Sequence, residues 1–311
     1  MHPAWSILLF TTIAGAAQGL VVALAIACLA GMGLDSRFLA GGLGVAAVLL
    51  AAALLASFFH LGHKMRAWRA ALMWRTSWMS REVIALPVFI ALVAGWALAV
   101  ALGAGAGWTH GVLPVLAIVL ALGLWYCTAM IYACLRFIQE WAHPLTVVNY
   151  TLIGLSSGLV LAAALGVLDA QAAFAAAVAP WALGLTLLAW ATRVLALRRN
   201  AALKPKSTLQ SATGIRNAQL TQRAMGMTGG SFNTREFFHH ASMAVLMRTR
   251  WLFQLLGFAL PMLLVAVALV TGSGAALVLA VPVQFAGVLA ERWFFFAQAR
   301  HPQNLYYQFV A

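Results

Sequence analysis

The sequence predicts an all-α integral membrane protein, a bundle of eight transmembrane helices. Two observations carry this expectation. Hydrophobic residues make up 64% of the 311 and charged residues only 8%, with a mean hydropathy of +0.94. Soluble proteins carry roughly 25% charged residues, so no aqueous fold covers this much apolar surface. The apolar residues also arrive in runs of roughly twenty, the length that crosses about 30 Å of hydrocarbon. Lipid offers no partners for free backbone groups, and the alternation of a barrel strand is absent, so each run must be helical.

The first run, near 5–30, lacks the charged leader of a cleaved signal peptide and is long enough to span. The second and third, near 39–60 and 82–103, flank a basic loop at 61–81. The fourth and fifth, near 113–135 and 146–167, are separated by a shorter basic loop at 136–145. The sixth, near 175–197, leads into the long segment 198–249, and the last two follow near 250–271 and 277–297. The other connections, around 31–38, 104–112, 168–174 and 272–276, are short and built of glycine or small residues. The chain therefore reads as one polytopic membrane domain over 1–311, with 198–249 as a basic loop.

Eight spans put the N-terminus, the loops after helices 2, 4 and 6, and the C-terminus on one face. Of the 19 lysines and arginines, set against 6 acidic residues, only Arg37 falls in a loop of the opposite face. In a soluble protein this excess would raise nucleic-acid binding. Between apolar runs it follows the positive-inside rule. The basic face is expected to be cytoplasmic, with both termini there, in a bacterial inner membrane. Lys64, Arg66, Arg69 and Arg75 suit anchoring to anionic lipid.

The sequence holds no arrangement for a resident metal. Cys28, Cys127 and Cys134 show no CxxC spacing and read as small apolar residues in helices, so an iron–sulfur cluster in this chain is not expected. A di-haem cytochrome needs paired histidines at matching depth on facing helices. His60 and His63 share one helix end, His110 lies at the opposite face and His143 in a loop. No haem is expected. A secondary transporter would show polar breaks near the bilayer midplane, whereas charge here gathers at one face.

Chemistry concentrates in FFHLGHKMRAWRAALMWRTSWMSREVI, residues 58–84. His60 ends the second helix and Glu82 opens the third on the same face, close enough to border one pocket near the membrane surface. A histidine donor and a carboxylate proton relay suit a quinone headgroup, with Trp68, Trp74 and Trp78 as walls. The same residues admit plainer roles. Glu82 follows Ser80, an N-cap candidate, and would complement the helix dipole; His60 would be an interfacial histidine and the tryptophans an interfacial belt. Farther on, TGGSFNTREFFHH (228–240) sets a turn at Gly229-Gly230 before Phe232, Arg235, Phe237 and Phe238, more aromatic than a free linker needs and suited to docking a partner. Glu291 and Arg292 lie inside the last apolar run, a polar-site signal. Adjacent helical residues point about 100° apart, so each is expected to face another helix or the pocket. His301-Pro302 is expected to end that helix.

HLGxxMRA at His60–Ala67, followed by Ser-x-Glu at Ser80–Glu82, resembles the membrane anchor subunits of dimethyl-sulfoxide-reductase-type molybdoenzymes, with an arginine followed by aromatics in the last helix (Arg292–Phe296). The resemblance implies a quinone site (menaquinone or ubiquinone) carried by His60 and Glu82, with Arg66 and Ser80 beside them in the motif. It also implies an anchor without haem that holds a ferredoxin-like iron–sulfur subunit serving a molybdopterin catalytic subunit. The 198–249 loop is longer and more basic than in the best-known members, and the opening MHPAWSILLFTT and the closing ERWFFFAQARHPQNLYY look more like the anchors of cytoplasmic sulfite dehydrogenases in this superfamily. The alternative within the resemblance is an anchor that oxidises menaquinol for dimethyl sulfoxide reduction.

Overall fold

A computed structural model describes residues 1–59, 61–224, 226–227 and 232–307. Eight helices long and apolar enough to cross a membrane are present among them: α1 Trp5–Leu29, α2 Ser36–Phe58, α3 Trp78–Ala101, α4 Gly107–Ala133, α5 Pro144–Leu168, α6 Ala172–Ala201, α7 Met243–Thr271 and α8 Gly274–Ala297. Among the described residues there is no strand. The helices extend by a few residues beyond the apolar runs because polar caps lie outside them. Asp35 accepts from the Arg37 amide at the start of α2, and Ser242 and Ser273 cap α7 and α8. Each satisfies an amide that the first turn leaves without an intrahelical partner.

The long basic segment is shortened at both ends, since α6 runs to Ala201 and α7 begins at Met243. α8 ends at Ala297, before His301-Pro302, and Pro302 instead opens a short 3-10 turn, Pro302–Tyr306.

α1 is the central post. It packs against α2, α4, α5 and α8, and 78% of its apolar window is buried. α5 is its principal partner and also meets α4, α6 and α8, while α3 closes one side against α2 and α4, and α7 the other against α6 and α8. Lipid tails are as apolar as leucine, so helices associate through close backbone approach rather than exclusion of water. Gly15 and Gly19 of α1 face Gly154 and Gly158 of α5, and a Cβ on Gly158 would run into the Gly19 backbone. A second crossing joins Gly257 and Gly287, with Gly257 inside a widened π-type turn (Leu255–Ala259) of α7. A similar turn, Gly107–Val112, opens α4 and presents the Thr109 carbonyl to the buried indole N–H of Trp96 at 2.8 Å.

The first residues of the chain meet the end of α8 and the long loop at the basic face. The Met1 nitrogen donates to the Phe296 and Ala299 carbonyls at the end of α8, and the His2 amide donates to Glu236 of the long loop. Arg193 and Arg292, counted above with the basic face, are instead buried within α6 and α8, each 2% exposed. The other basic residues lie in loops or near helix ends.

Candidate functional site

The α2–α3 loop is held to the bundle by a residue that sequence reasoning passed over. Arg81 reaches back to the carbonyls of Trp74 and Arg75 at 2.9 and 2.8 Å and stacks its guanidinium 4.1 Å from the Trp78 ring centre. α3 begins at Trp78 with Ser77 as its N-cap. Ser80 is therefore not the cap, as expected from sequence, but a first-turn residue whose amide donates to the Ser77 hydroxyl oxygen, and it is 2% exposed. Arg66 sits exposed in a 3-10 segment, Lys64–Ala71. Trp68 and Trp74 are exposed, whereas Trp78 packs edge-on against Tyr126 at 5.2 Å. His60 lies outside the described residues.

Glu82 is in the second turn of α3, not at its opening, and is 8% exposed. Its Oε1 accepts a hydrogen bond from the Thr128 hydroxyl of α4. Among the described residues the carboxylate has no ion pair. A lone carboxylate at this depth is costly unless it serves a function or changes charge. Pro87 lies one turn farther on and has no N–H to give the Val83 carbonyl, which loosens the backbone beside Glu82. Val83 and Tyr126, neighbours of Glu82 and Thr128 in sequence, are exposed on the outer surface of the bundle. A quinone headgroup needs a proton-exchanging group, a planar wall and access from the bilayer. Glu82, the Trp78–Tyr126 pair and this exposed edge fit those needs.

The second polar site lies across the bundle at the same end. Glu291 pairs with Arg193 of α6 at 2.6 Å and with Arg292 at 3.4 Å. The neighbouring-helix partner agrees with expectation, but the expectation that adjacent Glu291 and Arg292 make poor partners is corrected. The flexible arginine side chain turns back along the helix and overcomes the angular offset. Arg292 also lies over the Tyr150 ring at 3.9 Å, and Arg193 over Phe253 at 5.5 Å. Tyr150 stacks on Tyr132 at 5.6 Å, within an aromatic group that includes Trp141, Phe295 and Phe296. Arg193, Thr128 and Tyr150 were absent from the sequence expectations. Arg193 alone carried a signal, a lone charge inside the run ATRVLAL.

The loop expected to dock a partner is partly folded onto the protein. Phe237 stacks on His301 at 3.8 Å, and its carbonyl accepts from the Asn304 amide nitrogen. Phe238 packs edge-on against Tyr307. Phe232 and Arg235 are on the outside, Phe232 being 60% exposed. Gly229 and Gly230 lie outside the described residues. Beneath this loop, between α6, α7 and α8, opens a cleft of about 590 Å³ whose walls include Lys204, Lys206, Phe237, Arg250 and Arg300. Among the described residues, no three of His, Cys, Asp and Glu gather as metal ligands would.

Comparison with known proteins covers the chain along nearly its whole length. The chain is 48% identical, over 331 aligned residues covering all of both proteins, to a sulfite dehydrogenase subunit of Allochromatium vinosum. A family model described as DMSO reductase anchor subunit (DmsC) matches residues 1–307. With eight spans, a basic end and a match that runs from the first residue almost to the last, the chain belongs to the DMSO reductase anchor subunit (DmsC) family.

Proposed function

We propose that this chain is the membrane anchor and quinone-interacting subunit of a molybdopterin oxidoreductase complex of the sulfite dehydrogenase type. In this reading it exchanges electrons between the quinone pool and a ferredoxin-like iron–sulfur subunit docked on its basic face. A bound quinone supplies a couple that carries two electrons and two protons. Glu82 takes up or returns a proton at its carboxylate, Thr128 orients that carboxylate, and Trp78 with Tyr126 provides an aromatic edge. His60 is the proposed donor to a quinone carbonyl, with Ser80 and Arg66 on the flank. The observation that carries the reading is the buried Glu82 carboxylate, bonded to a neutral hydroxyl and free of any ion pair among the described residues. A structural ion pair would fix the charge, and an unpaired buried carboxylate is built to change it.

The full-length similarity to a sulfite dehydrogenase subunit supports the sulfite type over an anchor that oxidises menaquinol for dimethyl sulfoxide reduction. The basic face, assigned to the cytoplasm by the positive-inside rule, offers the 590 Å³ cleft, Phe232 and Arg235 to the soluble subunits. The test is Glu82→Gln in the assembled complex. Quinone-linked turnover should fall by about 10²–10⁴-fold, while turnover with an artificial dye that bypasses the anchor persists. Near-wild-type quinone turnover would leave Glu82 a packing residue and nothing more.

A further inference from the structure

Two small cavities lie inside the bundle beyond Thr128, the partner of Glu82, and one side chain, Tyr150, walls both. The inner cavity, about 10 Å³, is lined by Gln18 of α1, Thr128 of α4 and Tyr150 of α5, among others. The outer, also about 10 Å³, is lined by Tyr150, Arg292, Glu291, Asn149 and Gln298 and reaches Glu140 and Asn200. Glu140, Asn200 and Gln298 also wall the 590 Å³ cleft, so the outer cavity borders the large opening on the basic face. A site of this volume holds about one water, provided polar partners surround it.

Those partners are present. Around the inner cavity the Gln18 carbonyl oxygen and the Trp125 indole N–H are buried without a hydrogen bond, and around the outer so are the Asn149 Oδ1, Arg193 Nη2, Arg292 Nε and Gln298 Nε2. The Tyr150 hydroxyl, on a residue 3% exposed that lines both cavities, belongs to the same group, with the Tyr132 side chain beside it. Buried polar atoms without protein partners are uncommon, and each asks for an explanation. Here they line one route.

We propose that Thr128, the inner cavity, the Tyr150 hydroxyl and the outer cavity form a proton path joining Glu82 to the basic face beside Glu140 and Asn200. The inference rests on the reading of Glu82 as a proton-exchanging group. A hydroxyl donates one hydrogen bond while accepting others, so Thr128 can hold Glu82 and face the inner cavity at once. Tyr150 can likewise receive a proton on one side and release one on the other. For each proton leaving Glu82, one emerges at the basic face, and no group on the route is consumed. Two guanidiniums against the single Glu291 carboxylate leave a net positive charge beside Tyr150. That charge disfavours a trapped hydronium and favours transfer in which the outer end releases its proton first.

The test uses the whole complex with Tyr150→Phe and Thr128→Val. Phenylalanine keeps the ring against Arg292 and Tyr132 and removes only the hydroxyl, so assembly should be preserved. Four measurements are made: quinone-linked turnover, dye-linked turnover, affinity for a quinone-analogue inhibitor, and the rate at which deuterium from solvent reaches the Glu82 carboxyl, followed by infrared difference spectroscopy against Glu82→Gln. Both variants should lose about tenfold or more in turnover and slow the exchange while dye-linked turnover persists; in Tyr150→Phe, which leaves the Glu82–Thr128 pair intact, inhibitor affinity should also be unchanged. Wild-type turnover and exchange in Tyr150→Phe, alongside an impaired Glu82→Gln, would overturn the path and leave the reading of Glu82 standing. An unimpaired Glu82→Gln would overturn both.

Discussion

Replacing Glu291 by glutamine should destabilise the protein far more than replacing Arg193 by methionine. At an effective dielectric of about 20, unit charges separated by the observed 2.6 and 3.4 Å attract by about 6 and 5 kcal/mol. Burying an ion costs several kcal/mol in return. Glu291→Gln removes both attractions and leaves two guanidiniums, each 2% exposed, facing each other without a counter-charge. Removing one partner from a buried pair costs about 3–5 kcal/mol, and here two cations are stranded. Arg193→Met loses the shorter contact and the Phe253 ring contact, but relieves one buried charge and leaves Glu291 matched by Arg292. The net cost should be about 1–2 kcal/mol, by the same balance. Reversible unfolding of the two variants in mixed detergent micelles measures the difference. Equal stabilities, or a Glu291→Gln protein as stable as wild type, would refute the view that this carboxylate neutralises two buried arginines.

Gly158→Ala should destabilise the bundle by about 1–3 kcal/mol, the usual cost of overpacking, because the new methyl meets the Gly19 backbone and no side-chain rotation relieves it; Gly123→Ala, with open space around its Cβ position, should be neutral in the same unfolding assay. Single cysteines in 104–112 and 168–174 should react with an impermeant reagent added from outside the cell, and those in 202–224 should not; the reverse pattern would invert the orientation. Burial pushes the His301 imidazole, stacked on Phe237, below its ordinary value, and burial does the same to His239. The unfolded chain then binds more protons than the folded one as pH falls through the usual histidine range near 6.5. The loop's attachment should be strongest above that range and loosen below it, read as faster proteolysis within 232–242, with the pH dependence reduced in His301→Phe.

The span pattern was legible because hydropathy over twenty residues is a strong signal, and the terminal errors have a local cause. Ser77, Ser242 and Ser273 cap helices from outside the apolar runs, and a run of hydrophobic residues says nothing about its cap. Glu82 was legible as a charge beside an apolar run, yet its partner was not. Thr128 is one of many hydroxyls in the spans, and only the crossing of α3 with α4 singles it out. The Glu291 cluster was half legible for the same reason. Its charges stand out in α8, but the α6 face that meets them is fixed by packing, and Tyr150 looks like any interfacial tyrosine until Arg292 is seen lying on its ring.

The glycine crossing of α1 with α5 bears on how the chain is made. The first span enters the bilayer with a surface meant for protein, not for lipid, and its matching groove is not synthesised until more than a hundred residues later. Until then α1, α2, α3 and α4 form a half-bundle whose central post shows bare backbone to the acyl chains. Ribosome-bound chains that stop short of residue 144 should therefore remain loosely associated and open to quality-control proteases. Arrival of the fifth span should close this half-bundle in a single step, bringing Tyr150 into contact with Tyr132 as it does so, before the last three spans add to it.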